Sequence, residues 1–553
     1  MAPPGHPAVV VSGPGPVAAA VVATIDTTVR PRWAWWTSAT PSQLIADGVR
    51  VATCWDLAAV HRLLAGGWAA GPDRVWADVH ELDVETIPVG RPPDLFDPGP
   101  DDVELDDPIG PDGHLRPQWV GGAWATSTPR LARWAELAVD VAERQAVLVD
   151  ALAAERPRAP ATARSESTAE LLCAELAADG LPLDRPTAEA LIEAIAGPRA
   201  DTAEQAAAQR AARDADVLRH APPGTGALDL RSNEQVRSLL RRCGIDVPDT
   251  RAWRLLPHRG ENPIVDALVA WRKAERVATT YGYEWLDTHV GPDGRLRGEW
   301  SGADGAAGRM TATNGLHNLP AELRPAVVAE PDHVFVRADL GQVEPRVLAV
   351  VSGDDRLARA AAAADMYAPV AEQLGVDRAS AKVAVLGAMY GQTTGLGAQA
   401  LRRLEIAYPT AMSLLHAADV DGQVGRDIRT VGGRRVRMGT TNANEVTEAE
   451  ARRRAAAMGR YARNALIQGA AAELFKVWAV TVRARGAPID ARIVLCLHDE
   501  LLVHVPTVNT AAAVAVVEDG LQEAVHRWAP GSAVRFVADV AVVARWSDSK
   551  PLA

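Results

Sequence analysis

The spacing of apolar and polar residues divides the chain into a mixed N-terminal part and a helical middle part. Residues 1–155 alternate short strand-like runs with turns, as where "VRVATCW" precedes the helical "DLAAVHRLL", so this part is predicted to be α/β. Residues 156–165 have the composition of a linker. From about 166 to 300 the periodicity is helical, with Ser167 as the predicted N-cap and Gly180 as the predicted stop of the first helix. Residues 262–286 are predicted to form one long amphipathic helix.

The second half of the chain returns twice to strand-like patterns. Residues 332–350 change from a strand to a helix, and helices dominate from there to about 485. Alternating apolar runs then follow in "ARIVLCLHDELLVHVP" and "AVRFVADVAVVARW". The chain is therefore predicted to contain several units, each long enough to bury a core of its own.

Charge changes this picture only locally. The formal net charge of −12 does not indicate a nucleic-acid-binding protein. Between Arg426 and Arg463, however, ten arginines stand against four acidic residues. A solvated helix face is the ordinary explanation, but the arginines beside the Gly-Gly turn at 432–433 favour a surface that contacts phosphates.

Cysteine usage and hydropathy favour a cytoplasmic protein. The four cysteines are scattered singly, without a metal-binding spacing, which suits a reducing compartment. No apolar run reaches the length of a membrane span, and the N-terminus lacks the basic start of a signal peptide. We therefore expect no association with a membrane.

Two carboxylates are the first candidates for chemistry. Asp499 lies with His498 and Glu500 between two apolar strand-like runs, so it is predicted at a tight connection between buried strands. Asp339 ends a β-branched strand and precedes a helix. Alone, Asp499 could belong to a polar hairpin turn and Asp339 could be a helix cap. Together, on neighbouring strands, they could ligate a pair of metal ions about 4 Å apart, as in-line phosphoryl displacement requires.

A stripe of cations and apolar groups lies between these aspartates. Arg378, Lys382, Leu386 and Tyr390 recur at steps of four, so they share one face of a helix. Two cations followed by an apolar and an aromatic residue suit a triphosphate whose base stacks farther along the helix.

These three segments, in this order, resemble the polymerase motifs of family A DNA polymerases, the bacterial DNA polymerase I type. The resemblance runs from about residue 166 to the C-terminus and includes "WRKAERVATTY", "GRMTATNGLHNLP", "TVGGRRVR" and "RYARNALIQGAAAEL". It implies a right-hand α+β polymerase, with the thumb in 166–300, the palm in 301–350 and 471–553, and the fingers in 351–470. It also implies that 1–155 is an α/β exonuclease-like domain with a ribonuclease H-like fold.

The resemblance implies a DNA-directed DNA polymerase of replication or repair synthesis, which adds dNTPs to a primer 3′-hydroxyl. It would act as a monomer on primer–template DNA, near the nucleoid. Asp339 and Asp499 would ligate two Mg²⁺ ions, with Glu500 as a third catalytic carboxylate. The implied nucleotide-binding residues are Arg378, Lys382, Leu386, Tyr390, Glu344, Gln342 and His498, of which Glu344 would exclude a ribose 2′-hydroxyl. The implied DNA-binding residues are Arg309, Asn314, Asn318, Arg434, Arg435, Asn464 and Gln468.

Several positions depart from the family pattern. Leu386 replaces an aromatic residue, Pro345 follows Glu344, and the Tyr and Ser expected after Asp339 are missing, so we expect altered nucleotide selectivity. In the N-terminal part, Asp26, Asp56 and Asp140 match candidate exonuclease carboxylates, but Thr28 stands where a glutamate is expected. This domain is therefore predicted to be inactive. A bifunctional 3′-5′ exonuclease/polymerase and a catalytically weak DNA-binding relative remain as alternatives.

Overall fold

The computed structural model describes residues 15–90, 106–226, 228–305, 307–391, 397–439 and 447–549. The α-helices are α1 (Gly15–Thr28), α2 (Ala39–Ala46), α3 (Leu57–Ala65), α4 (Pro72–Val79), α5 (Pro117–Val120), α6 (Thr128–Ala153), α7 (Ala159–Asp179), α8 (Arg185–Ala196), α9 (Ala203–Leu218), α10 (Asn233–Arg242), α11 (Ala252–Leu255), α12 (Pro263–Thr280), α13 (Tyr283–His289), α14 (Val343–Ser352), α15 (Asp355–Ala361), α16 (Tyr367–Leu374), α17 (Arg378–Tyr390), α18 (Gly397–Ala407), α19 (Pro409–Gln423), α20 (Glu448–Gly486) and α21 (Thr510–Trp528). The strands are β1 (Trp33–Trp35), β2 (Cys54–Asp56), β3 (Leu181–Pro182), β4 (Arg295–Leu296), β5 (Trp300–Asp304), β6 (Arg309–Ala312), β7 (His333–Gly341), β8 (Ile428–Arg429), β9 (Arg435–Val436), β10 (Arg492–Leu497), β11 (Glu500–Pro506) and β12 (Val537–Val543).

The chain folds into two compact units. The first unit takes the described residues up to Asp179 together with 299–312 and 332–542. The second unit takes 180–298, 313–331 and the described residues from Val543 onward. The second unit overlaps most of the segment predicted as the thumb, whereas the described residues of 1–155 belong to the same unit as β7 and β11. The thumb, palm and fingers boundaries themselves stay predictions.

The first unit is built on a four-stranded sheet with the order β10-β11-β7-β12. Strand β11 pairs antiparallel with β10 and with β7, and its register places Glu500 opposite Asp339. Residues such as Phe335, Val336 and Val503 are buried in these strands, as expected for central strands covered by helices. Helix α20 supplies Phe475 and Trp478 to the same core. The strands predicted around Asp339 and Asp499 are confirmed.

Helix α20 is long and apolar enough to cross a membrane by length and composition. Its most apolar 18-residue window is 89% buried inside the protein. The Trp478 indole lies in that interior and donates from Nε1 to the carbonyl of Val517 at 2.9 Å. The apolar length of α20 is therefore accounted for by core packing.

A buried ionic network joins α7, α20 and the turn between β8 and β9. Glu166 on α7 accepts from Lys476 at 2.6 Å and pairs with Arg434, and all three side chains are buried. Burial would raise the pKa of Glu166, but the two cations outweigh it and lower that pKa. Glu473 accepts from Thr430 Oγ1 and from the amide of Gly432. Burial, only partly offset by these donors, raises the pKa of Glu473 to about 7.

The predicted linker and helix bounds need correction. Helix α7 begins at Ala159, so most of 156–165 is helical. Ser167 is buried inside α7, where its hydroxyl donates to the Ala163 carbonyl, and it does not cap the helix. Gly180 follows the last helical residue at φ +67°, so the predicted stop is confirmed.

The single helix predicted over 262–286 is wrong. The structure ends α12 at Thr280 and begins α13 at Tyr283. The Tyr281 hydroxyl donates to the carbonyls of Gly315 and Asn318. These hydrogen bonds hold the chain at the break between α12 and α13, although the apolar periodicity continues through it.

The N-terminal part is mostly helical. Within its described residues the strands are β1 and β2, which pair in parallel over three residues each. Asp26, one of the candidate exonuclease carboxylates, lies in helix α1. The α/β prediction is confirmed only as far as this strand pair, and the structure does not show the exonuclease-like domain.

Candidate active site

The two predicted aspartates meet at one end of the central sheet. Asp339 lies near the end of β7, and Asp499 lies with His498 in the two-residue connection between β10 and β11. His498 has φ +55°, which this tight hairpin requires. The amide of Leu340 donates to the carbonyl of Asp499 at 2.9 Å, so the connection is attached to β7. Local hairpin geometry and strand register therefore place the two aspartates side by side.

Asp499 is in an electrostatically unfavourable place for a negative charge. Burial raises its pKa to about 6, and the charges of Glu344 and Asp339 add to this effect, while Arg309 opposes it. A half-buried carboxylate near two others, as Asp499 is, is stabilised by a cation. Oxygen donors of this kind are the ligands that Mg²⁺ prefers. The residues present therefore fit a divalent ion, which Asp339 and Asp499 would hold.

Asp339 and Glu500 already share a cation from the chain. Arg337, two residues before Asp339 on β7, donates from Nη2 to Asp339 Oδ2 at 2.7 Å and to Glu500 Oε2 at 2.6 Å. The sequence pattern did not single out this arginine. Its only signal was the i, i+2 spacing, which places residues 337 and 339 on the same face of a strand.

Glu344 is the acceptor of a second cluster. Its Oε1 accepts from Arg309 Nη2 at 2.5 Å, and its Oε2 accepts from the Tyr390 hydroxyl at 2.9 Å. Burial, the Glu344 charge and this hydrogen bond raise the pKa of Tyr390, and Gln468 donates to the same side chain. The structure thus brings together four predicted residues from four segments: β6, α14, α17 and α20.

The predicted stripe lies on the outer face of α17. Arg378, Lys382 and Tyr390 are exposed, and Leu386 is half-buried against the core. The opposite face buries residues such as Ala381 and Met389. The predicted helical face is therefore confirmed, and its two cations are open to solvent.

Arg378 has a partner that the sequence analysis missed. Its guanidinium Nε donates to Asp365 Oδ2 at 2.5 Å. Gln342 Nε2 donates to the other oxygen of Asp365, and Gln342 Oε1 accepts from the amide of Met366. Gln342, predicted to bind the nucleotide, therefore holds the segment that positions Arg378.

Arg346 binds the backbone that leads into Asp365. It is fully buried and donates to the carbonyls of Ala361, Ala363, Ala364 and Arg535. Pro345, next to it, lies in the first turn of α14, where amides have no intrahelical partner, so the proline removes no helical hydrogen bond. The departure at Pro345 is thus accommodated by the fold.

The arginines beside the Gly-Gly turn bind other groups of the protein. Arg429 and Arg437 donate to the carbonyls of Leu64 and Ala65, at the end of α3. Arg434 is 4% exposed and paired with Glu166, so its placement does not favour the predicted DNA contact. Arg435 is half-exposed and paired with Asp427. Exposed cations of this segment also lie on α20, at Arg452, Arg453, Arg454 and Arg460.

The other predicted DNA contacts fall in both units. Asn464 and Gln468 are half-buried on α20. Asn314 and Asn318 are exposed in the second unit. There, the Trp285 indole donates to the backbone carbonyl of Asn314, and the Tyr281 hydroxyl donates to that of Asn318. These bonds hold the backbone of the turn, while the two amide side chains stay exposed.

The candidate exonuclease carboxylates have structural partners. Asp26 accepts from Trp33 Nε1 and the Ala52 amide. Asp56 is 1% exposed, caps α3 and accepts from Trp35 Nε1 at 2.8 Å. Asp140 accepts from Arg144 on its own helix. Each carboxylate is therefore bound to a different group of the protein.

Comparison with known proteins agrees with the geometry of the site. The model of "DNA polymerase family A" matches residues 204–548, which is more than half of the chain. The chain therefore belongs to DNA polymerase family A. It is 30% identical over 373 residues to DNA polymerase I of Chloroflexus aurantiacus, covering 59% of this chain and 38% of that protein. It is 27% identical over 329 residues to DNA polymerase theta of Caenorhabditis elegans, covering 53% and 20%.

The matched region spans little more than a third of the Chloroflexus protein. Among solved structures, the chain resembles the POL domain of Pol1 from M. smegmatis, described in complex with DNA primer-template and dNTP. The TM-score is 0.67 at 19% identity, covering 96% of this chain and 88% of that one. This likeness confirms the polymerase-domain fold.

Proposed function

We propose that this protein is a DNA-directed DNA polymerase that adds dNTPs to a primer 3′-hydroxyl in replication or repair synthesis. The observation that carries the proposal is the meeting of Asp339 and Asp499 at the end of the β7–β11 pair. Membership of the family supports the same activity. Two Mg²⁺ ions bound by these aspartates would supply an activated primer hydroxyl and a stabilised pyrophosphate leaving group.

The residues of the chain then have separable tasks. Asp339 and Asp499 would hold the metal ions, whose positive charge would act on the reacting oxygens. Arg378 and Lys382, exposed one turn apart on α17, bind the triphosphate. Arg378 must exchange its Asp365 partner for phosphate oxygens, whereas no ion pair of Lys382 has to be broken among the described contacts.

Glu344 is proposed to choose the sugar. The hydrogen bonds from Arg309 and Tyr390 fix its carboxylate, so a ribose 2′-hydroxyl could displace it only by breaking them, at a cost in free energy. This fixed carboxylate favours dNTPs over rNTPs. Leu386 is half-buried and stands where the family pattern has an aromatic ring. Helix α17 continues through this position undisturbed.

Primer extension tests the proposal directly. The full chain is given a labelled primer–template, Mg²⁺ and four dNTPs, and compared with Asp499→Ala. Asp519→Ala, which changes an exposed aspartate on α21, is the matched control and should extend the primer normally. The Asp499 variant should bind the primer–template and fail to extend it. Absence of extension by the wild-type protein, while it binds the same DNA, contradicts the proposal and favours a catalytically weak DNA-binding relative.

The bifunctional alternative has less support from the structure, since Asp26, Asp56 and Asp140 are each bound elsewhere in the protein. A 3′-mismatched primer incubated without dNTPs should remain intact. Degradation that is lost in Asp56→Asn would establish the exonuclease activity.

A further inference from the structure

A buried arginine lies among the carboxylates of the proposed metal site. Arg337 is 1% exposed, and its Nη2 reaches both Asp339 and Glu500. Its Nη1 lies 3.9 Å from an oxygen of Asp539, on the neighbouring strand β12. The guanidinium thus contacts carboxylates from three adjacent strands.

Strand geometry produces this arrangement. Residues 337 and 339 point to the same face of β7 because side chains alternate along a strand. The register pairs Asp339 with Glu500, so the 337 side chain is the diagonal neighbour of Glu500 across the strands. A long side chain spans this distance easily. The three groups therefore meet without any contribution from a flexible loop.

Arg337 carries its charge despite being buried. A guanidinium stays protonated in proteins, and here its Nη2 donates to the carboxylates of both Asp339 and Glu500. An unpaired buried guanidinium would be strongly unfavourable, so the carboxylates and the arginine depend on one another. One unit of positive charge is therefore built into the site before any ion binds.

We infer that Arg337 is a positioning residue that acts as a fixed monovalent cation of the metal site, holding Asp339 and Glu500 together and weakening divalent-ion binding. This inference rests on the proposed function. The guanidinium neutralises one carboxylate charge and repels an ion at the neighbouring position. It also keeps the Asp339 carboxylate in place when no divalent ion is bound, so the site is pre-formed at the cost of affinity.

Mn²⁺ binding by the full chain, followed by electron paramagnetic resonance without DNA or nucleotide, tests this inference. Arg337→Met removes the charge but keeps the length and burial of the side chain, and should bind Mn²⁺ about tenfold more tightly, equivalent to about 1.4 kcal/mol. Glu500→Gln removes one negative charge and should weaken binding. The double variant restores the charge balance and should return to an affinity near that of the wild type. Arg337→Lys retains the charge and should stay within about twofold of the wild type.

The outcomes separate charge from mere support of the fold. A folded Arg337→Met variant with wild-type Mn²⁺ affinity overturns the inference, as does a double variant that binds no more tightly than Glu500→Gln alone. If Arg337→Met does not fold, Glu500→Gln decides: unchanged or tighter binding overturns the inference. Absence of Mn²⁺ binding by the wild type, with no difference from Asp499→Asn, instead overturns the proposed metal site itself.

Discussion

Protons should compete with metal ions at Asp499. Burial and the nearby Glu344 and Asp339 raise the pKa of Asp499 to about 6, against the opposing charge of Arg309. Only the ionised carboxylate binds a metal ion, so binding must release the proton. Divalent ions should therefore bind Asp499 readily above pH 6, and their binding should weaken as the pH falls below 6.

The expected effect is large enough to measure. A competing proton multiplies the apparent Kd by 1 + 10^(pKa − pH), which is about 1.1 at pH 7 and about 11 at pH 5 for a pKa of about 6. Mn²⁺ should therefore bind about tenfold more weakly at pH 5 than at pH 7. An aspartate with the ordinary pKa of about 3.9 would change the Kd by less than about 10% over the same range.

The assay is an Mn²⁺ titration of the full chain at pH 5, 6 and 7. His498→Gln is the necessary control, because the imidazole next to Asp499 belongs to a residue type that ordinarily titrates near pH 6.5. Arg309→Met should move the transition to higher pH, since Arg309 lowers the pKa of Asp499. An affinity that changes less than about twofold between pH 7 and pH 5 would refute the reasoning. Loss of the pH dependence in His498→Gln would assign it to the imidazole instead.

Three further predictions concern Glu473, the arginine pair at 434–435 and Glu344. Glu473 has a pKa of about 7 in the fold, so the folded protein retains a proton that the unfolded chain releases; stability falls as the pH rises from 5 to 8. Glu473→Gln should remove about 2.5 kcal/mol of that fall, measured by urea unfolding at both pH values. Arg434→Met should destabilise the fold by about 3–5 kcal/mol without weakening DNA binding by the folded protein, whereas Arg435→Met should weaken binding and spare stability. Anisotropy titrations and melting curves separate the two. Glu344→Ala should raise the ratio of rNTP to dNTP incorporation at least about tenfold, and an unchanged ratio in primer extension would contradict its role in sugar choice.

The elements around the two aspartates could be predicted because their signals are local. The strand before Asp339, the helix after it and the hairpin at His498 and Asp499 each follow from apolar periodicity and turn residues within a dozen positions. Helix α17 has the same kind of signal, with Asp377 capping its start. The motif resemblance then supplied the roles expected of these residues.

Partners distant in the sequence could not be predicted in this way. The arginines at 429 and 437 were interpreted as phosphate ligands from a count of charges, yet they bind carbonyls 365 and 372 residues away. A composition window contains no information about such partners. The helical position of Asp26 could not be predicted for another reason. The short apolar run around it suits a strand or a helix equally, and the packing of α1 decides in favour of the helix.

The two aspartates of the proposed site differ in a way that the sequence pattern hides. Asp339 shares the buried Arg337 with Glu500, so part of its charge is compensated before an ion arrives. Asp499 keeps a raised pKa despite Arg309. A divalent ion therefore relieves more unfavourable charge at Asp499 than at Asp339. Because Asp339 has a resident cation and Asp499 depends more on the incoming ion, Asp499→Asn should reduce the first Mn²⁺ affinity more than Asp339→Asn. Equal losses would show that Arg337 does not make the site asymmetric.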